Sequence, residues 1–151
     1  MRRSIPSSSP WPARALVLLR LSLGVFLIVK STGKFSWLLD SPPLTAKLTD
    51  WSTNQCAIEL SRWYARFLLP GAPIFARLSL IGELGSGIAL IAGFQTRLIA
   101  SVAALMILNF HLATGGLVSW DFLFDPSGLV VVSALVSLAL GARDLPLSVT
   151  R

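Results

Sequence analysis

The sequence has few charged residues and very few side chains that bind metals. Of its 151 residues 13% are charged and 54% are hydrophobic, whereas about 25% charged is usual in a soluble domain. Cys56 is the only cysteine, which excludes an intrachain disulfide, a cysteine-based zinc site and a C-x-x-C-H haem attachment. The sequence also has no glycine-rich phosphate loop, nucleophile elbow or H-E-x-x-H motif. The chemistry of soluble enzymes therefore finds no support.

Long apolar stretches dominate instead, and the mean hydropathy is +0.71. Four of them lie at about 13–35, 73–94, 97–117 and 126–141. Because a membrane-spanning helix needs about 20 residues, the first three are long enough, and local thinning of the bilayer accommodates the fourth. The predicted fold is all-α: an integral membrane four-helix bundle forming a single domain over 13–141, with a disordered tail at 1–12 and a C-terminal tail at 142–151.

The first apolar stretch follows Met1-Arg2-Arg3, so a cleaved signal peptide is the competing interpretation. The stretch has Arg20 at its centre and Lys30 at its end, and it has no small-residue cleavage site. These features favour a retained helix.

The net charge of +6 does not indicate a nucleic-acid partner. Most of the arginines lie at or beyond the ends of the apolar stretches, where cationic side chains meet lipid headgroups. The predicted partner is therefore the lipid bilayer and not nucleic acid. The positive-inside rule favours cytoplasmic termini only weakly.

The segment 36–72 between the first two predicted spans contains an amphipathic helix. Its apolar face carries Leu60, Trp63, Tyr64, Phe67 and Leu68, and its polar face carries Glu59, Arg62 and Arg66. This pattern is typical of a helix that lies along the membrane surface. We expect it to pack on the bundle and the headgroups, and a substrate lid is the alternative.

Two ionisable residues, Arg20 and Glu83, lie inside apolar stretches. A charge at the centre of a membrane helix costs about 2.5–3.5 kcal/mol, so such residues face the protein interior and have partners. Counting helical rise from one side puts Arg20 roughly 10 Å deep and Glu83 roughly 16 Å deep, within reach of one another. The predicted pair either locks two helices together or lines a cavity for a quinone headgroup or a proton relay.

Asn109 and His111 lie at comparable depth in the third stretch, roughly 18 and 21 Å from its start. They complete a predicted buried polar centre of Arg20, Glu83, Asn109 and His111. His111 has three interpretations: a structural hydrogen bond, quinone or proton chemistry, and axial ligation of a pigment or haem metal. No other metal site is predicted.

Residues of the first three spans resemble the DoxX family of small bacterial and archaeal membrane proteins. The resemblance runs from about Ala15 to Gly141 and rests on Leu19-Arg20, Gly24, Phe26, Gly33-Lys34, Glu83, Gly87, Leu90, Gly93 and Thr96-Arg97. It implies a four-span bundle in redox membrane complexes, since relatives include a thiosulfate:quinone oxidoreductase subunit and a membrane partner of oxidative-stress and sulfurtransferase proteins. Arg20, Lys34, Glu83 and Arg97 would be this chain's versions of the family's characteristic charged residues.

The predicted function is that of a membrane subunit of a redox-linked complex, with a quinone as the expected ligand. A partner-dependent subunit is favoured over a complete enzyme because the sequence has no flavin, haem or iron–sulfur binding set. The resemblance implies the inner membrane of a prokaryote. Two alternatives remain: a structural accessory subunit that binds lipid or pigment in a respiratory or photosynthetic assembly, and a small-molecule carrier.

Overall fold

The computed structural model describes residues 11–39, 42–55 and 58–142, and within these ranges the regular structure is entirely helical. The predicted all-α class is therefore confirmed for them. Of the predicted tails at 1–12 and 142–151, residues 1–10 and 143–151 lie outside the described residues, as does Cys56, whereas Trp11 and Pro12 belong to the first helix. Short π-helical and 3-10 turns occur at Trp51–Gln55, Leu69–Gly71 and Gly116–Val118. The α-helices are α1 (Trp11–Thr32), α2 (Ser36–Leu39), α3 (Pro42–Asp50), α4 (Glu59–Leu68), α5 (Ala72–Ala92), α6 (Thr96–Thr114), α7 (Asp121–Phe124) and α8 (Leu129–Gly141).

Among the described residues, three helices are long and apolar enough to cross a membrane: α1, α5 together with the preceding α4, and α6. Their large apolar side chains face outward to an extent that is unusual in a soluble protein. Leu18, Val29, Ile74, Ile81 and Leu105 are all more than half exposed. Helix α8 is apolar but shorter, with 13 residues.

Only Gln95 and Thr96 separate the second and third predicted spans in the sequence, which predicts an antiparallel hairpin, and α5, a short turn and α6 form it. Gly93 ends α5 in the left-handed conformation, with φ 75°, and its N–H bonds to the carbonyls of Ala89 and Leu90. Glycine adopts this conformation without the steric cost of a Cβ atom. The turn therefore makes α5 and α6 antiparallel neighbours.

Two glycines set how α1 and α5 pack. A Cβ atom placed on Gly24 would lie 2.9 Å from the Gly87 carbonyl oxygen, and one on Gly87 would lie 2.8 Å from the Gly24 carbonyl oxygen. The backbones thus touch, as small residues allow in membrane helices. Gly24 also meets Ile91, and Gly87 meets Ile28, so the two helices run antiparallel in a fixed register.

The interior has two apolar clusters. One joins α1, α6 and α8, where Leu27, Leu135 and Leu138 are fully buried. The other joins the α2–α4 segment to the start of α5 and includes Leu48 and Ala65. The connection between α1 and α5 therefore has a core of its own.

The predicted apolar face of α4 is only partly inward. Leu68 is buried and Tyr64 packs against the second cluster. Leu60, Trp63 and Phe67 are instead 59%, 59% and 66% exposed, so the expected packing on the bundle is seen for part of the face only. The small side chains of Ser61 and Ala65 occupy the buried positions, because they let α4 approach its neighbours closely.

Candidate functional site

A polar cavity of about 280 Å³ lies where the C-terminal ends of α1 and α6 meet the connecting segments. We call it the polar cavity. It brings together basic, acidic and aromatic side chains that are far apart in sequence. Its lining consists of Lys30, Lys34, Trp37, Lys47, Trp51, Glu83, Ile107, Phe110, His111, Thr114, Asp125 and Ser127.

An ion pair between Lys34 and Glu83 forms one wall. Lys34 Nζ lies 2.6 Å from Glu83 Oε1 and 3.1 Å from Ser79 Oγ. The Glu83 side chain is 2% exposed and that of Lys34 14% exposed. Lys34 follows the end of α1, and its long stem carries the charge inward from there. Burial lowers the pKa of Lys34, and the Glu83 carboxylate opposes this shift.

Aromatic rings surround the same ammonium group. Lys34 Nζ is 4.4 Å from the ring centroid of Phe110 and 5.3 Å from that of Trp37. Both distances are within the range of cation–π attraction. Lys47 Nζ approaches Trp37 at 5.7 Å. The wall around the ion pair is thus polarisable rather than merely apolar.

Arg20 is buried, as predicted, but at a different depth from Glu83. Gly24 meets Gly87 and Ile91, and Gly87 meets Gly24 and Ile28, so Glu83 lies at or beyond the level of Ile28 on α1. At least eight residues of helix, about 12 Å, therefore separate Arg20 from the level of Glu83. Glu83 pairs with Lys34, which corrects the predicted Arg20–Glu83 pair. The depth count went wrong because it assumed that spans begin and end at common levels, whereas the glycine contact sets the register.

His111 lies on the opposite wall, beside the turn that precedes α8. Its Nε2 is 3.3 Å from the Ser127 carbonyl oxygen, and its ring meets Phe122 edge to face at 5.0 Å. The contact with Ser127 agrees with the structural interpretation of this histidine. Because His111 also lines the polar cavity, it remains available to the site.

Asp125 and Ser127 hold that turn together. Asp125 Oδ1 accepts hydrogen bonds from the Ser127 backbone N–H at 2.6 Å and from Ser127 Oγ at 2.5 Å. Lys30 Nζ donates to Ser127 Oγ, which connects the turn to α1. Burial alone would raise the pKa of Asp125, but the two hydrogen bonds from Ser127, with His111 and Lys30 nearby, lower it below its ordinary value of 3.8.

Asn109 lines a second cavity, which is smaller and apolar, with a volume of about 100 Å³. We call it the apolar cavity. The Tyr64 hydroxyl donates a hydrogen bond to Asn109 Oδ1. The lining consists of Leu44, Leu48, Trp51, Leu68, Phe75, Leu78, Ser79, Met106, Asn109, Phe110 and Ala113.

The predicted polar centre is therefore divided. Glu83 and His111 share the polar cavity, and Asn109 lies in the neighbouring one. Arg20 lines neither. Arg97 is exposed, and its Nε donates to the Ala139 carbonyl at 3.0 Å, which joins α6 to α8 rather than contributing to the site.

Sequence reasoning missed Lys30, Lys47 and Asp125 as residues of the cavity. Lys30 lies in the last turn of α1 and Lys34 just beyond its end, and two cations so close together at the end of the first apolar stretch are the signal that could have found Lys30. Asp125 resembles a helix cap in sequence, but α8 begins only at Leu129. Within the described ranges, no group of three or more His, Cys, Asp or Glu residues could hold a metal ion.

The helices and this site define a multi-pass helical membrane protein with a buried ion pair beside a polar cavity. A family model described as DoxX matches residues 15–116, about two thirds of the chain. The chain belongs to the DoxX family. Comparison with curated proteins and comparison with solved structures each give no match.

Proposed function

We propose that this DoxX-family chain is a membrane subunit of a redox-linked complex and binds a quinone headgroup in the polar cavity. One observation carries the proposal: a buried Lys34–Glu83 pair lies beside aromatic rings in the wall of the polar cavity. Ligand sites combine apolar and aromatic walls with a few convergent polar groups. A cavity of 150 Å³ holds a benzene ring, so about 280 Å³ suits one substituted six-membered ring.

The polar groups of the cavity suit both redox forms of a quinone. The carbonyl oxygens of the oxidised form would accept hydrogen bonds from the ammonium groups of Lys34 and Lys47. The hydroxyl groups of the reduced form need acceptors, and Glu83 Oε2 accepts no hydrogen bond from any described residue. Reduction to the quinol takes up two electrons and two protons. A partner subunit would supply the electrons, and His111, which lines the polar cavity, would pass protons to the ligand.

The proposal also includes a fourth span. Helix α8 would extend about 20 Å, less than the roughly 30 Å hydrocarbon layer, so the bilayer would thin beside it or the turn before it would enter the layer. Its packing against α1 and α6 supports this placement. On the surface of α4, Trp63 and Phe67 are exposed and stacked at 5.8 Å, as suits an interfacial helix.

We further infer a prokaryotic inner membrane with both termini cytoplasmic. The polar cavity would then open toward the opposite side, since it lies at the C-terminal end of α1. Electron-donating partner subunits would dock on that side. A structural role for the Lys34–Glu83 pair, as an ion pair that only locks helices, is the competing function.

Binding of a chainless quinone separates the two functions. The protein would be placed in lipid nanodiscs and titrated with a dimethoxy-methyl benzoquinone that has no side chain. We expect saturable binding that Glu83→Gln weakens at least tenfold. Glu59→Gln is the matched control, because the Glu59 side chain is 90% exposed, and it should bind as the native protein does.

A second variant guards against a loss of folding. Lys47 is exposed at the cavity rim and has no carboxylate partner among the described residues, so Lys47→Gln should fold normally and still weaken binding. Native protein that binds no quinone would overturn the proposal. If both variants bind the quinone normally and Glu83→Gln lowers the melting temperature, the Lys34–Glu83 pair has a structural role alone.

A further inference from the structure

The polar and apolar cavities share two walls. Trp51 and Phe110 line both of them. Ser79 lines the apolar cavity, and its hydroxyl accepts the hydrogen bond of Lys34 from the polar side. The charged cavity and the apolar cavity therefore adjoin at these two rings and at the Lys34–Ser79 hydrogen bond.

The apolar cavity has little unmet polarity. Leu48, Leu68 and Met106 contribute apolar surface. Two of its polar lining atoms already have partners: Asn109 Oδ1 accepts from the Tyr64 hydroxyl, and Ser79 Oγ accepts from Lys34. Such a space favours hydrocarbon over water, since a buried water needs two to four polar partners.

We propose that a single amphiphile occupies both cavities, with its ring in the polar cavity and the first carbons of an apolar chain in the apolar cavity. This inference rests on the proposed function and names its ligand class: a quinone that carries an isoprenoid or alkyl chain. The apolar cavity, at about 100 Å³, is smaller than the 150 Å³ cavity that holds benzene. It therefore holds only the first few carbons of the chain.

The remainder of the chain has a route to the bilayer. Phe75 and Leu78 on α5 line the apolar cavity and are also 36% and 56% exposed on the lipid-facing surface. A chain that leaves between them passes directly from protein into hydrocarbon. The headgroup then stays at the ion pair while the tail remains in the membrane.

Filling the apolar cavity tests this assignment. Ala113 is 3% exposed and lines the apolar cavity but not the polar one, so Ala113→Leu takes the space of the chain and leaves the headgroup site intact. Ala92→Leu, at an exposed position on α5, is the matched control. Both variants and the native protein would be titrated in nanodiscs with the chainless benzoquinone and with the same headgroup carrying a decyl chain.

We expect Ala113→Leu to weaken binding of the decyl compound about tenfold and to leave the chainless compound within twofold of native. Comparing variant with native cancels the partition of the decyl compound into lipid. Leu78→Trp narrows the exit without disturbing the interior and should act in the same sense, with the exposed Leu98→Trp as its control.

The outcomes are distinguishable from those of the proposed function. If the native protein fails to bind the chainless headgroup, the proposed function fails. If that headgroup binds but Ala113→Leu and Leu78→Trp leave the decyl compound unaffected, or weaken both compounds equally, the chain site is wrong. Displacement of the decyl compound, but not of the chainless one, by a short-chain phospholipid would show lipid in the apolar cavity and overturn the single-amphiphile assignment.

Discussion

Lys34 Nζ and Glu83 Oε1 lie 2.6 Å apart although 49 positions separate the two residues in the chain. The contact joins the turn after α1 to the middle of α5. It places a carboxylate that is 2% exposed against an ammonium group that is 14% exposed. In such a pair desolvation and attraction nearly cancel, and the larger cost arises when one partner is left alone.

Removing one member of this pair should therefore destabilise the protein more than removing both. We expect Lys34→Met to lower the free energy of unfolding by about 3–5 kcal/mol, because a buried carboxylate is left without its counterion. The double variant Lys34→Met with Glu83→Gln should recover most of that loss. Unfolding in mixed micelles, analysed as a double-mutant cycle, measures the coupling.

The exposed pair of Arg62 and Glu59, at 3.5 Å, provides the comparison for that cycle. Surface pairs contribute little to stability, so the same cycle there should give a coupling near zero. Equal couplings at the two sites would show that Lys34 and Glu83 are not effectively buried.

The contact between Gly24 and Gly87 should be sensitive to a single methyl group. Gly87→Ala would place a Cβ atom 2.8 Å from the Gly24 carbonyl oxygen, and backbone cannot move aside as a flexible side chain can. We expect α1 and α5 to separate and the free energy of unfolding to fall by about 1–3 kcal/mol. The melting temperature in detergent reports the change.

Gly85→Ala is the control on the same helix. Nothing lies within 4 Å of a Cβ atom at that position. Alanine favours a helix over glycine by about 1 kcal/mol, so this variant should be neutral or slightly more stable. If Gly85→Ala also lowers the melting temperature, the loss of stability in Gly87→Ala would come from membrane insertion rather than from the contact between α1 and α5.

We expect the free energy of unfolding to fall in acid because Asp125 becomes protonated. Its pKa is lowered in the folded protein, so the folded state binds fewer protons than the unfolded state over the pH range just below 3.8. The stabilisation is complete above that range and is lost as pH falls through the lowered pKa. Measuring the free energy of unfolding between about pH 6 and pH 3 should show this slope, and Asp125→Asn should reduce it.

The same titration on Glu59→Gln identifies the responsible acid. The Glu59 side chain is 90% exposed, and this variant should keep the native slope. A slope that survives Asp125→Asn unchanged would contradict the role given to the Asp125–Ser127 hydrogen bonds.

The sequence was most informative where a property depends on neighbours along the chain. Apolar length predicted α1, α5 and α6, and the short connection before Thr96 predicted their hairpin. Arg20 and Glu83 were both predicted to be buried, and each is 2% exposed, because a charge within an apolar helix must face the interior. The family resemblance rested on these same local features.

The sequence was less informative where a property depends on which residues meet. Depth estimated from the sequence predicted Arg20 as the partner of Glu83, because the register of α1 against α5 cannot be read from the sequence. The periodicity of α4 separated apolar from polar residues, but it could not tell which apolar side chains pack on the bundle and which, like Trp63 and Phe67, are exposed.

The sequence by itself determined that this is a helical membrane protein of the DoxX type with ionisable groups in its interior, because hydropathy and helix length are properties of continuous stretches. Only the tertiary structure decided that Lys34 is the partner of Glu83 and that Lys30, His111 and Asp125 surround one cavity. Lys34 meets Glu83 because Gly24 and Gly87 let the backbones of α1 and α5 touch, and that contact fixes the levels of the side chains on these two helices.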